Sequence, residues 1–492
     1  MEFQIFCLKN CVASLALPLS HIFTISFNSQ QVPDDWKHAH VKPLFKNGVA
    51  SDPNNYRPIS LTSTCCRVME RIINKELIDY LLDKSLVSKE QHGFIRRRST
   101  CSNLLECLQD WMLSIDNKRI TDVIYIDFKK AFDQVSHNKL LLKLNSYGIT
   151  GDLYGWIKSF LSNRTQAVKL DGCLSSVIAI LSGVPQGSVL GPILFVLFIN
   201  DLVDCFKNLA VSTKLFADDL KLYTSYGLTD SSCDLTEALH RVTVWAKKWQ
   251  LTINSTKCNV LRIVNPRCKN KSDIVYDLNG SSLKVLSVVK DLGVAVDKNL
   301  RFDNHISSVV HKSLQRANLI LKCFQSRDRN LLMKAFKVYV RPLLEYATPV
   351  WSPHFMYLIL KIEHVQQSFT KRLFGLKNLT YIDRLKQLEI DTLEHRRLIY
   401  DLCTCFKIIH GYNDTCLAMN RMHLEGRPNN TRGHNLKLAK EMCRTDMLRF
   451  FFCNRICTVW NSLPLDVVNA PSVNSFKKRV SKFNLDRFLT LK

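Results

Sequence analysis

Thr213-Lys214-Leu215-Phe216-Ala217-Asp218-Asp219-Leu220-Lys221-Leu222-Tyr223 is the stretch on which the fold turns. Strand-forming residues stand on both sides of a two-aspartate centre, the pattern of a tight β-hairpin. Two adjacent carboxylates between apolar strands repel each other and lose hydration unless a cation joins them. Upstream, Val123-Ile124-Tyr125-Ile126-Asp127-Phe128 is β-branched and aromatic, with an acid near its end. It predicts a buried strand that delivers one carboxylate at its edge. Side by side, these acids would suit magnesium, which prefers oxygen ligands and leaves positions open for phosphate. A two-metal phosphoryl-transfer site is the chemistry that follows. Taken alone, Asp-Asp at a turn is a weak signal, and a polar hairpin tip is the plainer reading of it.

Composition narrows the classes. The 492 residues carry 68 Lys/Arg against 43 Asp/Glu, a formal charge of +25. With 46% hydrophobic and 10% aromatic residues the chain builds a core, which argues against a disordered protein. A globular, strongly basic chain favours a polyanionic partner, most often nucleic acid; a solvated basic surface is the plainer alternative. The 18 cysteines are scattered through apolar stretches such as Cys65-Cys66, which fits reduced thiols inside a cell rather than a disulfide framework. Cys403, Cys405, His410 and Cys416 form a poorly spaced zinc candidate on an expected helix, 396–409. The apolar run 11–27 contains Pro18, Ser20 and His21 and makes a poor signal peptide. Val189–Ile199 is too short to span a bilayer and predicts a buried core segment. No membrane partner is expected.

Mixed strand and helix signals fill 40–300, and the pattern turns helical after about 304, where Asn304 is a candidate N-cap. A further helix is expected from about Asp328 to Tyr339, and a polar linker at 426–433. Residues 421–492 hold 14 Lys/Arg against 5 Asp/Glu.

Several ordered segments resemble the reverse transcriptase of non-LTR (LINE-type) retrotransposons. Asn55-Tyr56-Arg57-Pro58-Ile59-Ser60-Leu61-Thr62 is similar to the first finger motif. Gln91-His92-Gly93-Phe94-Ile95-Arg96, with Ser99-Thr100, is similar to the second. Tyr125-Ile126-Asp127-Phe128-Lys129-Lys130-Ala131-Phe132-Asp133 resembles the first catalytic motif. Gly183-Val184-Pro185-Gln186-Gly187-Ser188-Val189-Leu190-Gly191-Pro192 resembles the template and nucleotide motif. Phe216-Ala217-Asp218-Asp219 resembles the Asp-Asp motif, and Leu251-Thr252-Ile253-Asn254-Ser255-Thr256-Lys257-Cys258 the motif that closes the palm. Leu292-Gly293-Val294 and Phe302–Ile306 resemble the approach to the thumb, and Val340–Tyr346 with Val350-Trp351 the region beyond it. The likeness runs over roughly 15–465.

The resemblance implies an α+β right hand of fingers, palm and thumb with a helical, basic C-terminal extension. The expected division is 1–39 leading into the fingers, 40–300 fingers and palm, 301–400 thumb and connecting helices, and 401–492 the basic region. It implies RNA-directed DNA synthesis with two Mg2+ ions, Mn2+ being an alternative, on an RNA template, a DNA primer and dNTPs. Asp127 and Asp218 would bind metal, with Asp219 weaker and the Phe128 carbonyl a further ligand. Phe132 would sit under the sugar of the incoming nucleotide and exclude a 2′-hydroxyl; its alternative is a core aromatic. Gln186 and Gly187 would meet the nucleotide or templating base. Arg57 would clamp the triphosphate or serve a structural ion pair. Lys257 would serve the leaving pyrophosphate. Arg96, Arg97 and Arg98 would contact template phosphates or form a solvated loop. Lys477-Lys478-Arg479 is an import or RNA-binding patch or, more plainly, a charged helix face.

The expected placement is intracellular, in nucleus and cytoplasm as a ribonucleoprotein. The nicking endonuclease of such elements is expected to be missing, as in a 5′-truncated copy, and no acidic set for ribonuclease H stands out after 300. Rival readings are an inactive relic that binds RNA, an RNA-dependent RNA polymerase or intron maturase, and a two-metal nuclease. The last leaves Pro-Gln-Gly unexplained.

Overall fold

The structure is a computed structural model and describes residues 10–227, 233–265, 274–415, 417 and 434–491. Its strands are β1 (His38–Phe45), β2 (Tyr56–Leu61), β3 (Ile120–Ile126), β4 (Arg164–Leu170), β5 (Cys173–Leu174), β6 (Ile178–Ile180) and β7 (Ser212–Phe216). There follow β8 (Asp219–Tyr226), β9 (Asn259–Ile263), β10 (Asp277–Leu278), β11 (Ser281–Ser282), β12 (Lys284–Leu286), β13 (Val288–Asp291) and β14 (Val294–Asp297). Helices fill the intervals and dominate after Asp303, so the architecture is α+β.

One sheet has the order β12-β9-β3-β8-β7. Its centre, β3, runs antiparallel to both neighbours, with Ile126 opposite Leu220 on β8 and Tyr125 opposite Asn259 on β9. Successive side chains of a strand point to opposite faces. Val123 enters one core with Trp111, Tyr223 and Leu261, whereas Ile124 and Ile126 enter another with Leu222, Val260 and Trp245. Burial of both faces explains why the β3 sequence is an unbroken apolar run rather than an alternating one. The first core continues through Ile306, Trp351, Phe406 and Trp460 to Leu485, so most of the buried apolar residues described after Val288 pack on one face of this sheet. The second core holds the helices His137–Ser146, Gly191–Ile199 and Cys233–Trp249.

A second sheet, β2-β1-β4 extended by β5 and β6, lines with the first a common cleft. β1 pairs antiparallel with β2 and parallel with β4. Every residue of Gly191–Ile199 except Pro192 is buried, as its length and apolarity predict. The apolar stretch near the N-terminus is the helix Val12–Asn28, whose Ser26 accepts from Trp156 Nε1 at 3.1 Å. No helix among the described residues is long and apolar enough to cross a membrane.

Some local expectations are corrected. The helix expected to be capped by Asn304 is Asp303–Cys323, and its N-cap is Phe302 in the left-handed region. The Asp297 carboxylate accepts from the amides of Arg301 and Phe302, which fixes the chain at this entry. The next helix, expected over about 328–339, is Arg329–Ala335 with Asp328 as its N-cap, and it runs on into the π-helical turn Phe336–Val340. Of the zinc candidates, Cys403 and Cys405 are buried in the helix Leu393–Ile409, and His410 pairs through Nε2 with the Val468 carbonyl at 3.0 Å. Cys416 and the expected linker 426–433 lie outside the described residues. Lys477, Lys478 and Arg479 form the charged last turn of Val473–Val480, whose Phe476 and Val480 are buried.

A buried ion pair joins the sheet to the β13–β14 hairpin. Lys221 Nζ on β8 lies 2.9 Å from Asp291 Oδ2 and 2.6 Å from Asn103 Oδ1, fully enclosed. Removing one partner leaves the other charge buried and alone. Lys221→Met is therefore expected to cost about 3–5 kcal/mol. The double variant Lys221→Met/Asp291→Leu is expected to recover most of that loss in urea unfolding. A double variant as unstable as the sum of the single ones would contradict this.

Candidate active site

The hairpin closes at the pair Phe216–Asp219, leaving Ala217 and Asp218 as its two-residue turn. Ala217 has φ +56°, a conformation that favours glycine. The second finger segment holds it there. Gln91 Oε1 accepts from the Ala217 amide at 2.9 Å, and Gln91 Nε2 reaches the Ala217 carbonyl at 3.4 Å. A Cβ on Gly93 would stand 2.3 Å from the Ala217 nitrogen, so no larger residue fits. Strain of this kind persists where the surroundings over-determine it, and it clusters at functional sites.

Asp127 lies just past the β3–β8 ladder and so arrives beside the turn. Asn254 fixes it twice: the Asn254 amide donates to the Asp127 carbonyl at 2.8 Å, and Nδ2 donates to Oδ2 at 3.1 Å. Lys257 Nζ is 4.0 Å from the same Oδ2, on a mostly exposed side chain. The Phe128 ring is buried against Trp245, which leaves only its main chain near the acids.

Asp127 and Asp218 share the wall of a cleft of about 1200 Å3. Burial, and then the charge of Asp127, pushes the Asp218 carboxyl up, while Lys46 and Arg57 pull it down. Asp219 stands off the cleft lining at the start of β8. Its side chain is exposed to solvent; lost hydration next to the protein, then the charges of Asp218 and Asp291, raise it to about 6. Among the described residues no three His, Cys, Asp or Glu side chains form a closed metal cage. The acids are an open, all-oxygen pair, crowded by like charge, and that donor set fits a hard divalent cation.

The structure brings most of the other expected residues to the same cleft. Phe132 stacks on Phe195 with centroids 4.2 Å apart and meets the exposed Phe94 edge-on at 6.2 Å. Gln186 donates through Nε2 to Asp133 Oδ1 at 2.8 Å, and its carbonyl accepts from Ser60 at 2.7 Å. Burial raises the Asp133 carboxyl. Gly187 has φ +116°, and a Cβ there would lie 2.4 Å from the Ser60 carbonyl. Beneath this loop the buried Glu70 carboxylate accepts from Val189 and Leu190 at 2.7 and 3.0 Å. Arg57 lines the cleft and, among the described residues, has no salt-bridged carboxylate.

The arginine run divides. Arg96 pairs with Asp79. Arg97 is exposed, with its carbonyl bound by the Asp414 amide at 2.8 Å. The expectation that Arg98 contacts phosphate is corrected. Its guanidinium donates to the Ser88 and Gln91 carbonyls and to Asp414, and its side chain is buried. Gln91, Gly93 and Asn254 stand in recognisable motifs, but their roles emerge only from these contacts. Glu70 and Lys46 carry no signal in the sequence, because only the folded chain brings them to the loop and the acids.

A family model described as reverse transcriptase (RNA-dependent DNA polymerase) matches residues 44–296. The chain is 30% identical over 363 residues to the probable RNA-directed DNA polymerase from transposon BS of Drosophila melanogaster, covering 70% of this chain and 39% of that protein. It is 31% identical over 335 residues to the RNA-directed DNA polymerase from mobile element jockey of Drosophila funebris, covering 66% and 36%. The chain thus spans about two fifths of the length of these relatives. Among solved structures, the apo telomerase from Candida Tropicalis superposes with a TM-score of 0.43 at 13% identity, covering 78% of this chain and 64% of that one.

A raised carboxyl means that the folded chain binds more protons than the unfolded one between the ordinary value near 4 and the raised value. Without divalent cation, stability should therefore fall as pH rises from about 4 to about 6. Asp219→Asn removes the part of this penalty that solvent screening leaves at an exposed side chain. Its metal-free Tm is expected above that of the native chain at pH 7.5 and level with it at pH 4. Added magnesium should raise the native Tm but not that of Asp127→Asn/Asp218→Asn. A lower metal-free Tm for Asp219→Asn at pH 7.5 would refute the electrostatic account.

Proposed function

The chain belongs to the reverse transcriptase (RNA-dependent DNA polymerase) family, and on that premise we propose that it copies RNA into DNA. The observation that carries this is the meeting of Asp127 and Asp218 on one cleft wall with Phe132, Gln186, Arg57 and Lys257. The reaction is attack of a primer 3′-hydroxyl on the α-phosphate of a dNTP, with pyrophosphate leaving. Two magnesium ions held by Asp127, Asp218 and the Phe128 carbonyl, with Asp219 as a weaker donor, would acidify the hydroxyl and offset charge on the leaving group.

The chain's own residues set the geometry. Asn254 orients the Asp127 carboxylate through the bond to Oδ2. Arg57 and Lys46 face a triphosphate from the β1–β2 side, where guanidinium and ammonium groups pair with phosphate oxygens. Lys257 places a positive charge, or a proton, at the pyrophosphate. Phe132, stacked on Phe195, would meet the sugar of an incoming nucleotide with its ring and clash with a 2′-hydroxyl. Asp133 orients the Gln186 amide toward the base pair being formed. Arg97, with Arg96 when released from Asp79, would meet template phosphates. Fingers and palm over 40–300, a thumb over 301–400 and a basic region over 401–492 complete the proposed hand. A nuclear and cytoplasmic ribonucleoprotein is the proposed setting.

Primer extension tests this with an RNA template, an annealed DNA primer, magnesium and dNTPs. The native chain is expected to extend the primer, and Asp218→Ala/Asp219→Ala to lose extension by at least about 10³-fold while still binding template–primer. Phe132→Val is expected to admit ribonucleotides that the native chain rejects. A folded native chain that binds template–primer and never extends it would leave an RNA-binding relic. Extension with rNTPs alone would make it an RNA polymerase.

A further inference from the structure

The helix Met356–Lys371 ends in the loop Lys371-Arg372-Leu373-Phe374-Gly375-Leu376-Lys377. Leu373 and Leu376 are buried at 2% and 0% exposure and pin the loop to the C-terminal core. Between them Phe374 is 73% exposed. An aromatic ring held out in this way forgoes about 1.5–3 kcal/mol of burial free energy. The ring is not on a frayed end, because Gly375 at φ +73° turns the chain sharply between the two anchors.

The surroundings are cationic. Lys371, Arg372 and Lys377 are exposed and line a shallow recess of about 440 Å3 with Phe374. The Arg329 guanidinium, from the helix Arg329–Ala335, lies against Gly375, where a Cβ would be 2.6 Å from Nη2. Arg372 donates to the Asn318 side-chain carbonyl, a neutral acceptor. Among the described residues none of these four cations has an ion-pair carboxylate, and no acid occurs from His364 to Ile382. The recess shares no lining residue with the catalytic cleft.

We propose that the Phe374 loop is a second nucleic-acid site, at which a base of single-stranded RNA stacks on the ring while the flanking cations take the adjoining phosphates. Every base offers a π face, and an aromatic platform within a positive surface is how unpaired strands are held without sequence preference. A membrane would call for a broad apolar face on an amphipathic helix; here a single ring stands on a compact turn. The site lies beyond the polymerase reading and does not depend on it, since the readout is binding.

The test is fluorescence anisotropy of a labelled 12-nucleotide single-stranded RNA, with no primer, titrated with the full chain over a range of salt. Phe374→Ala is expected to weaken binding about 5- to 150-fold, the range of one lost stack, and Phe374→Tyr to restore it. Lys371→Glu/Lys377→Glu is expected to flatten the slope of log affinity against log salt by about 0.7 for each phosphate no longer neutralised. Phe374 is mostly exposed, so Phe374→Ala and Phe374→Tyr should unfold within about 1 °C of the native Tm, which separates lost binding from lost folding. Phe374→Ala affinity within twofold of native, or a Lys371→Glu/Lys377→Glu salt slope unchanged from native, would overturn the proposal. So would unchanged RNA binding accompanied by lost co-sedimentation with anionic phosphatidylserine vesicles, which would assign the loop to a membrane surface.

Discussion

The register of the β3–β8 ladder is the constraint on which the site rests. Ile126 opposite Leu220 carries Asp127 one residue past the paired region, to the side of the Ala217–Asp218 turn. A slip of one residue would turn Asp127 away from the cleft and move every β3 side chain to the other core. Both cores resist that slip, because Val123 belongs to one and Ile124 and Ile126 to the other. The same packing that stabilises the sheet thus sets the separation of the acids.

Holding like charges together needs support from outside the sheet. The finger residues Gln91 and Gly93 fasten the strained Ala217, and Asn254 fastens Asp127. Beneath the sheet Lys221 and Asp291 tie β8 to the β13–β14 hairpin. Segments far apart in the chain therefore converge on one turn. A side chain's contribution to the site cannot be ranked by its distance in sequence from the aspartates. The fragility lies in the electrostatics, because Asp218 and Asp219 are both held above the ordinary carboxylate range.

Motifs whose chemistry is local are legible directly: the hairpin around Asp218, though its turn is Ala217–Asp218 and not the two aspartates, and the apolar segment that forms Gly191–Ile199. Arg98 is not, because a basic run reads as an electrostatic surface until its donors are seen to be spent on Ser88, Gln91 and Asp414. The helix at Asp303 begins two residues before the start that an Asn304 cap implies, since the carboxylate that fixes its entry is Asp297, several positions upstream in another turn. Glu70 is invisible for the same reason: its partners are the amides of Val189 and Leu190.

By itself the sequence determined the α+β class, the hairpin with its acids, the basic character and the family. Those follow from periodicity, turn chemistry and motif order, which are properties of short windows. Only the tertiary structure decided which charges are free and which are paired, and that Asp219 stands off the cleft while Asp218 lines it. It alone set Phe374 out from its buried neighbours Leu373 and Leu376. Exposure and ion pairing depend on what the rest of the chain brings alongside, and no window of sequence contains that information.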